Sequence, residues 1–219
     1  MASGQWTPGR RGILQLSATA GALLPTASLA QALLPRTPEQ ILGPFYPTLR
    51  SEGDRGSDLT RLPGRPGRAQ GQVLTIMGRV LNRAGEPVRG ARVEVWQANA
   101  AGRYTHPGDT NQAPLDPNFR GFAELTTDTE GRYRFTTVKP GAYPAGQGVR
   151  PPHIHFDVMG RSDRLVTQMY FAGEAENERD RFLQSASRKE LLIVSLLPPP
   201  PELEPETKIA VFDIVLSRG

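Results

Sequence analysis

The chain has 219 residues, 37% of them apolar, with 26 basic against 22 acidic side chains and no cysteine, which bounds it to one domain with appendages. The missing cysteines exclude disulfides, thiolate metal sites and a thiol nucleophile, so any metal must be held by nitrogen and oxygen. The net charge of +4 is spread without lysine or arginine runs, which argues against nucleic acid as a partner. The 23 glycines and 21 prolines make a turn-rich composition that fits a β protein better than a helix bundle.

Residues 1–32 hold no acidic side chain. Arg10-Arg11 precede Ile13-Leu14, a fairly apolar stretch runs to Leu29, and Ala30-Gln31-Ala32 supplies a small-x-small triplet. This pattern resembles a twin-arginine export signal with its cleavage site, and it predicts an exported, periplasmic protein. A disordered basic extension is the alternative. No permanent membrane anchor is expected, because Gln15, Ser17, Thr19, Thr26 and Ser28 interrupt any run near the ~20 apolar residues that spanning requires.

Residues 33–72 read as an N-terminal arm and loop, charged and glycine-rich from Arg50 to Gln70, and residues 73–219 as the domain proper. Val73 to Leu81, a turn through Asn82-Arg83-Ala84-Gly85-Glu86-Pro87, and Ala91 to Trp96 predict a β-hairpin. Phe122 to Thr127, the turn Asp128-Thr129-Glu130-Gly131 and Arg132 to Thr136 predict a second. Further strands are expected at His153 to Val158, Leu165 to Phe171 and Ile209 to Leu216, with one helix around Ala175 to Ala186. Pro198 to Pro201 form a stiff connector before the last strand. Many short strands and so little helix define an all-β sandwich with long loops and at most one or two short helices.

The chemistry lies in the histidines and tyrosines. Of three histidines, His153 and His155 flank Ile154 in a predicted strand, and side chains two apart on a strand share a face. Two imidazoles side by side suit most first-row transition metals. Alone, the pair fits partly buried polar residues at a sheet edge equally well. Tyr104 and Tyr143 fall in loops, where ligands commonly sit, although a single tyrosine more often packs than reacts. His106 reads as a solvated loop residue.

Taken in order, Val95-Trp96-Gln97-Ala98-Asn99-Ala100-Ala101-Gly102-Arg103-Tyr104, Ala113-Pro114-Leu115-Asp116-Pro117-Asn118-Phe119, Val138-Lys139-Pro140-Gly141-Ala142-Tyr143-Pro144, Arg150-Pro151-Pro152-His153-Ile154-His155-Phe156, Val166-Thr167-Gln168-Met169-Tyr170-Phe171 and Phe212-Asp213-Ile214-Val215-Leu216 resemble the intradiol ring-cleavage dioxygenases. The likeness is greatest to the iron-bearing subunit of the protocatechuate-cleaving members, and Thr37 to Pro47 resembles the start of their mature chains. The resemblance implies one non-haem Fe(III) per chain, held by Tyr104, Tyr143, His153 and His155. It implies cleavage of a catechol-type diol by O2 to a cis,cis-muconate-type product. It also implies that Tyr143 leaves the metal for the substrate, that Arg150 stabilises developing negative charge and that Gln168 orients substrate or arginine.

The donor types support the metal on chemical grounds as well. Ionising two phenols near pH 7 costs about 4 kcal/mol each against a reference pKa of ~10, which a hard trivalent ion can supply. Two phenolates and a hydroxide neutralise its charge, so the centre can be buried. Close relatives often carry tryptophan after the second Tyr-Pro, whereas Ala145 stands here, and the segment from Tyr143 to Arg150 reads as short. Both open the pocket and leave protocatechuate, catechol, hydroxyquinol or a bulkier diol as candidates. A homo-oligomer or a homologous second subunit stays open. The alternative reading is a non-catalytic, exported transthyretin-like binding module, which explains the strands but not the joint presence of Tyr104, Tyr143, His153, His155 and Arg150.

Overall fold

The computed structural model describes residues 32–47, 56–146 and 148–219, and Ala32–Gly219 make one compact unit. The export signal expected over residues 1–32 lies outside the described residues except for Ala32. Among the described residues, no helix is long and apolar enough to cross a membrane.

The unit is a two-sheet sandwich. In the first sheet, β1 (Val73–Leu81) pairs antiparallel with β4 (Arg132–Val138) and parallel with β10 (Lys208–Val211) and then β11 (Ile214–Val215). The second runs in the order β3 (Phe122–Thr126), β2 (Arg92–Trp96), β7 (His153–Met159), β8 (Arg164–Phe171), β9 (Ile193–Val194). A separate ribbon pairs β5 (Tyr143–Ala145) with β6 (Gly148–Arg150). The helix expected around Ala175 to Ala186 is a 3-10 turn, Ala175–Arg179, followed by the single-turn α1, Arg181–Gln184. The last expected strand is split, because Phe212 and Asp213 interrupt the run between β10 and β11.

Neither predicted hairpin forms. The first turn does fold the chain back, with Asn82 N–H donating to Glu86 O and Val88 N–H to Val80 O, both at 2.9 Å. After it, however, the chain crosses to the other sheet, where β2 pairs with β3 and β7. The turn after β3 likewise closes through Gly131 N–H to Asp128 O and delivers β4 to β1. Turn residues and alternation are local signals, and they serve a connection between facing sheets as well as one within a sheet.

Alternation then builds the core. Tyr133 and Phe135 of β4 point inward while Arg132 and Arg134 point out. They meet Val93 and Val95 of β2 and Ile154, Phe156 and Val158 of β7 in one buried cluster. The opposite face of β7 carries His153, His155 and Asp157, yet these too are buried. A charged or polar face buries only under cover, and the N-terminal arm supplies it. Gln40 N–H donates to Val166 O at 2.8 Å, Gln168 Nε2 donates to Ile41 O at 2.9 Å, and Tyr46 donates to Glu94 at 2.6 Å. Beneath this cover the polar side of the second sheet becomes an interior.

Candidate metal centre

The register of the second sheet assembles one half of the site. Trp96 opposes His155, His155 opposes Gln168, and His153 opposes Tyr170, so these side chains share the covered face. Trp96 stacks on His155 at 4.8 Å with the rings 9° from parallel, and Tyr170 lies 5.7 Å from His153. Gly43 of the arm, at φ +78°, passes so close that a Cβ there would stand 3.1 Å from His155 Cε1. Its left-handed conformation and this contact both call for glycine.

Two loops bring the other half. After β2, Asn99 organises a turn by accepting from the main chain of Ala101 and Arg103, and its carbonyl accepts from Gly141 N–H at 2.9 Å. The segment bearing Tyr104 is thereby tied to the one bearing Tyr143. Asp109 fixes the Tyr104 main chain through a 2.7 Å hydrogen bond. The two phenol rings meet edge to face at 5.4 Å, and in the β5–β6 ribbon Tyr143 opposes Arg150.

Four donors converge in this way. His153 Nε2 stands 3.2 Å from His155 Nε2 and 3.4 Å from Tyr143 Oη, and Tyr104 Oη is buried with no hydrogen-bond partner. His153 Nδ1 lies 2.7 Å from Pro151 O. A carbonyl only accepts, so the neutral ring carries its proton on Nδ1 and presents Nε2 as a bare nitrogen. Burial, then Arg150, pushes the His153 pKa down to about 3, and burial, then His153 and Arg150, holds His155 well below its ordinary value. Both imidazoles are therefore neutral and able to ligate. Burial raises the Tyr104 phenol well above its ordinary value and raises Tyr143 too, Arg150 opposing the rise at the latter.

This donor set fits a ferric ion. A buried phenol oxygen, a bare imidazole nitrogen and two phenols that the protein alone keeps protonated are donors whose preference a hard trivalent cation would reverse. Among the described residues no group of three or more His, Cys, Asp or Glu is placed to hold a metal ion; the side-chain oxygens beside the two imidazoles are those of tyrosine.

Arg150 is held beside the donors, not free in a loop. Its Nε donates to Asp180 at 2.5 Å and its Nη2 to Gln168 at 2.7 Å and Tyr170 at 3.1 Å, while its guanidinium lies 4.6 Å from the Phe182 ring centroid. The other Asp180 oxygen caps α1 by accepting from Phe182 and Leu183 N–H. Of the residues singled out from sequence, Tyr104, Tyr143, Arg150, His153, His155 and Gln168 all come together; His106, expected to be solvated, is instead half-buried, its ring 5.8 Å from that of Phe45 and its Nδ1 accepting from Gly108 N–H. Sequence reading missed Trp96, Tyr170, Asp180 and Phe182. Tyr170 could have been found two places after Gln168, and Asp180 as the capping residue ahead of Arg181-Phe182-Leu183.

Of the four donors, Tyr143 borders a cleft of about 590 Å³ lined by Phe45, Tyr143, Val149, Arg150, Arg181 and Phe182 among others. A larger cleft, about 1050 Å³, runs between β1, β3 and β4 but holds none of these donors. Chemistry, not size, selects the smaller.

The fold and donors thus define a β-sandwich with a buried histidine–tyrosine centre, and comparison with known proteins supplies the family. The dioxygenase family profile matches residues 41–217, and the chain belongs to this family of intradiol dioxygenases, whose members are Fe(III) enzymes. It is 50% identical over 143 residues to the protocatechuate 3,4-dioxygenase beta chain of Burkholderia cepacia, covering 62% of this chain and 61% of that one. It is 33% identical over 145 residues to hydroxyquinol 1,2-dioxygenase of Rhizobium sp. (strain MTP-10005), covering 59% and 46%. The chain thus spans about half to three fifths of these relatives' lengths. Among solved structures, the dioxygenase domain of a dioxygenase–carbohydrate-binding fusion from Streptomyces sp. SirexAA-E superposes with a TM-score of 0.64 at 26% identity, over 84% of this chain and all of that one.

Proposed function

We propose that this chain is a non-haem Fe(III) intradiol dioxygenase that cleaves a catechol-type diol with O2 to a cis,cis-muconate-type product. The observation that carries the reading is the convergence of two neutral imidazole nitrogens 3.2 Å apart with two buried phenols. Tyr104, Tyr143, His153 and His155 would hold one ion. Bound there, ferric iron supplies the Lewis acidity that keeps phenols and diol deprotonated and makes the diol ring reactive toward O2.

The chain's own residues do the rest. Tyr143 borders both the donors and the cleft, so its oxygen is the one placed to yield to an incoming diol and to accept its proton. Tyr104, buried and absent from the lining of this cleft, serves as a permanent anchor. Arg150 presents a charge that persists at any working pH, and its four contacts fix it in advance for the negative charge that develops on the diol. Gln168 holds the arginine more directly than it could hold a substrate. Phe45 and Phe182 give the cleft an apolar lining.

Metal analysis, a visible spectrum and an anaerobic titration with catechol, protocatechuate and hydroxyquinol test the reading. Stoichiometric iron, a tyrosinate-to-iron colour that shifts with diol, and bleaching with O2 uptake are expected; Tyr104→Phe and His155→Ala should lose both iron and colour. A protein that binds no Fe(III) would leave the transthyretin-like binding module. We further propose export to the periplasm through the segment at residues 1–32, with either a second copy or a homologous subunit as partner. The basic, acid-free segment with Arg10-Arg11 and Ala30-Gln31-Ala32 supports the export, and recovery of the chain in the cytoplasm with Met1 intact would overturn it.

A further inference from the structure

A second, smaller cavity of about 230 Å³ lies past Phe45, the one described residue that lines both it and the cleft at Tyr143. Trp96, Tyr104, His106 and Arg120 border it, and no described residue around it carries a carboxylate. Three of these side chains leave a buried nitrogen without a hydrogen-bond partner: Trp96 Nε1, His106 Nε2 and Arg120 Nη1. All three are donors. Indole and guanidinium nitrogens only donate, and because His106 Nδ1 accepts from Gly108 N–H at 3.0 Å, the neutral ring carries its proton on Nε2. Trp96 is 1% exposed and stacked on His155. Arg120 is held through its main chain, which donates to Leu59 O at 2.9 Å, and its guanidinium joins no ion pair among the described residues.

A buried donor left unpaired forfeits its solvation without return, and three around one cavity are open to the same acceptor. The permanent charge of Arg120 makes an anion the acceptor that satisfies them together, whereas a cation would meet donors alone. A volume of about 230 Å³ is below the roughly 300–1,000 Å³ of drug-sized sites, so the occupant has few heavy atoms. Phe45, Phe119 and Phe122 supply an apolar wall. A carboxylate with a short hydrocarbon body fits that wall, and its single charge matches one arginine; phosphate would turn further charged oxygens onto the rings.

We propose that this cavity is a binding site for a small monocarboxylate, its two oxygens shared among Trp96 Nε1–H, His106 Nε2–H and the Arg120 guanidinium. The test uses the iron-loaded full chain with Trp6→Phe, which leaves Trp96 as its only indole. Sodium propionate should change the indole emission saturably, with one propionate bound per chain by calorimetry. Propionamide, the neutral molecule of the same shape, should bind more weakly by roughly tenfold or more, the scale of a hydrogen bond to a charged group. Arg120→Gln should weaken propionate by a similar factor, and His106→Phe, which probes the same cavity should the arginine variant fail to fold, by several-fold. Arg150→Ala alters the cleft at Tyr143 and should leave propionate binding unchanged. Propionate that binds no better than propionamide, or as well after both cavity substitutions as before, would overturn the site. Loss of binding in Arg150→Ala would overturn it too, by placing the anion in the other cleft, and tighter binding of inorganic phosphate than of propionate would overturn the carboxylate.

Discussion

Arg150 shows how a residue acquires a function from its holders. An arginine side chain has ample rotamer freedom to lose, and a charge left to wander could not be in place when negative charge develops. Here Asp180 takes Nε, Gln168 and Tyr170 take Nη2, and Phe182 lies against the guanidinium. Gln168 in turn is fixed by its amide donating to Ile41 O. Arg150→Ala should keep the iron colour and lower kcat by roughly 100-fold or more, the scale of removing one preorganised electrostatic donor. Asp180→Asn keeps a capping oxygen for α1 but deletes the carboxylate, so folding should survive while kcat falls, roughly tenfold. Gln168→Leu should behave likewise with KM less affected than kcat, because the residue acts through Arg150. Single-turnover kinetics beside the visible spectrum separate these outcomes; an unaltered rate in Arg150→Ala would remove it from the mechanism.

At the scale of elements, what the sequence disclosed and what it hid divide along one line. The faces of β1, β4 and β7 were legible, because period-two alternation states which side chains share a side. His153 and His155 therefore came together as read, and Gln168 joined them once β8 lay beside β7. Partner choice was not legible: the turns at Asn82–Pro87 and Asp128–Gly131 predicted hairpins, whereas each sends the next strand to the opposite sheet. Only burial of both inner faces at once decides that, and burial is not a local property. The ribbon of β5 and β6 reads as a loop in the sequence, since three-residue strands carry no period to detect, yet its register sets Tyr143 against Arg150. The arm explains the largest gap. Buried His153, His155 and Asp157 on a polar face look contradictory until Gln40, Gly43 and Tyr46 cover them, and nothing in β7 itself announces that cover. Tyr104, Tyr143 and Arg150 were found through the family resemblance, not through periodicity, because loop residues approach one another only through contacts such as Asn99 O to Gly141 N–H.

For the whole molecule, the bond between Tyr133 and Phe212 ties β4, across β1, to the break between β10 and β11 and sets an alkaline limit on stability. Tyr133 in β4 opposes Gly78 in β1, and its hydroxyl passes over that glycine to donate to Phe212 O at 2.5 Å. A Cβ at Gly78 would stand 2.0 Å from that carbonyl, so only glycine lets the crossing occur, and the crossing coincides with the break between β10 and β11. Burial, then Asp213, raises the Tyr133 pKa well above its ordinary value. A raised pKa means that the folded protein keeps a proton the unfolded chain gives up. The contribution is fully present below pH ~10, the unfolded value, and is lost as pH rises from there toward the folded value, by about 1.4 kcal/mol per pH unit. Tyr133→Phe deletes the hydrogen bond and should cost about 1 kcal/mol at pH 8, but it also deletes this proton. Urea unfolding of chelator-treated protein from pH 8 to 11.5 should therefore show the variant losing stability less steeply above pH 10, with the two curves meeting near pH 11. Parallel alkaline limbs would show that Tyr133 ionises as readily in the fold as outside it, and would remove the buried phenol as the tie between these strands.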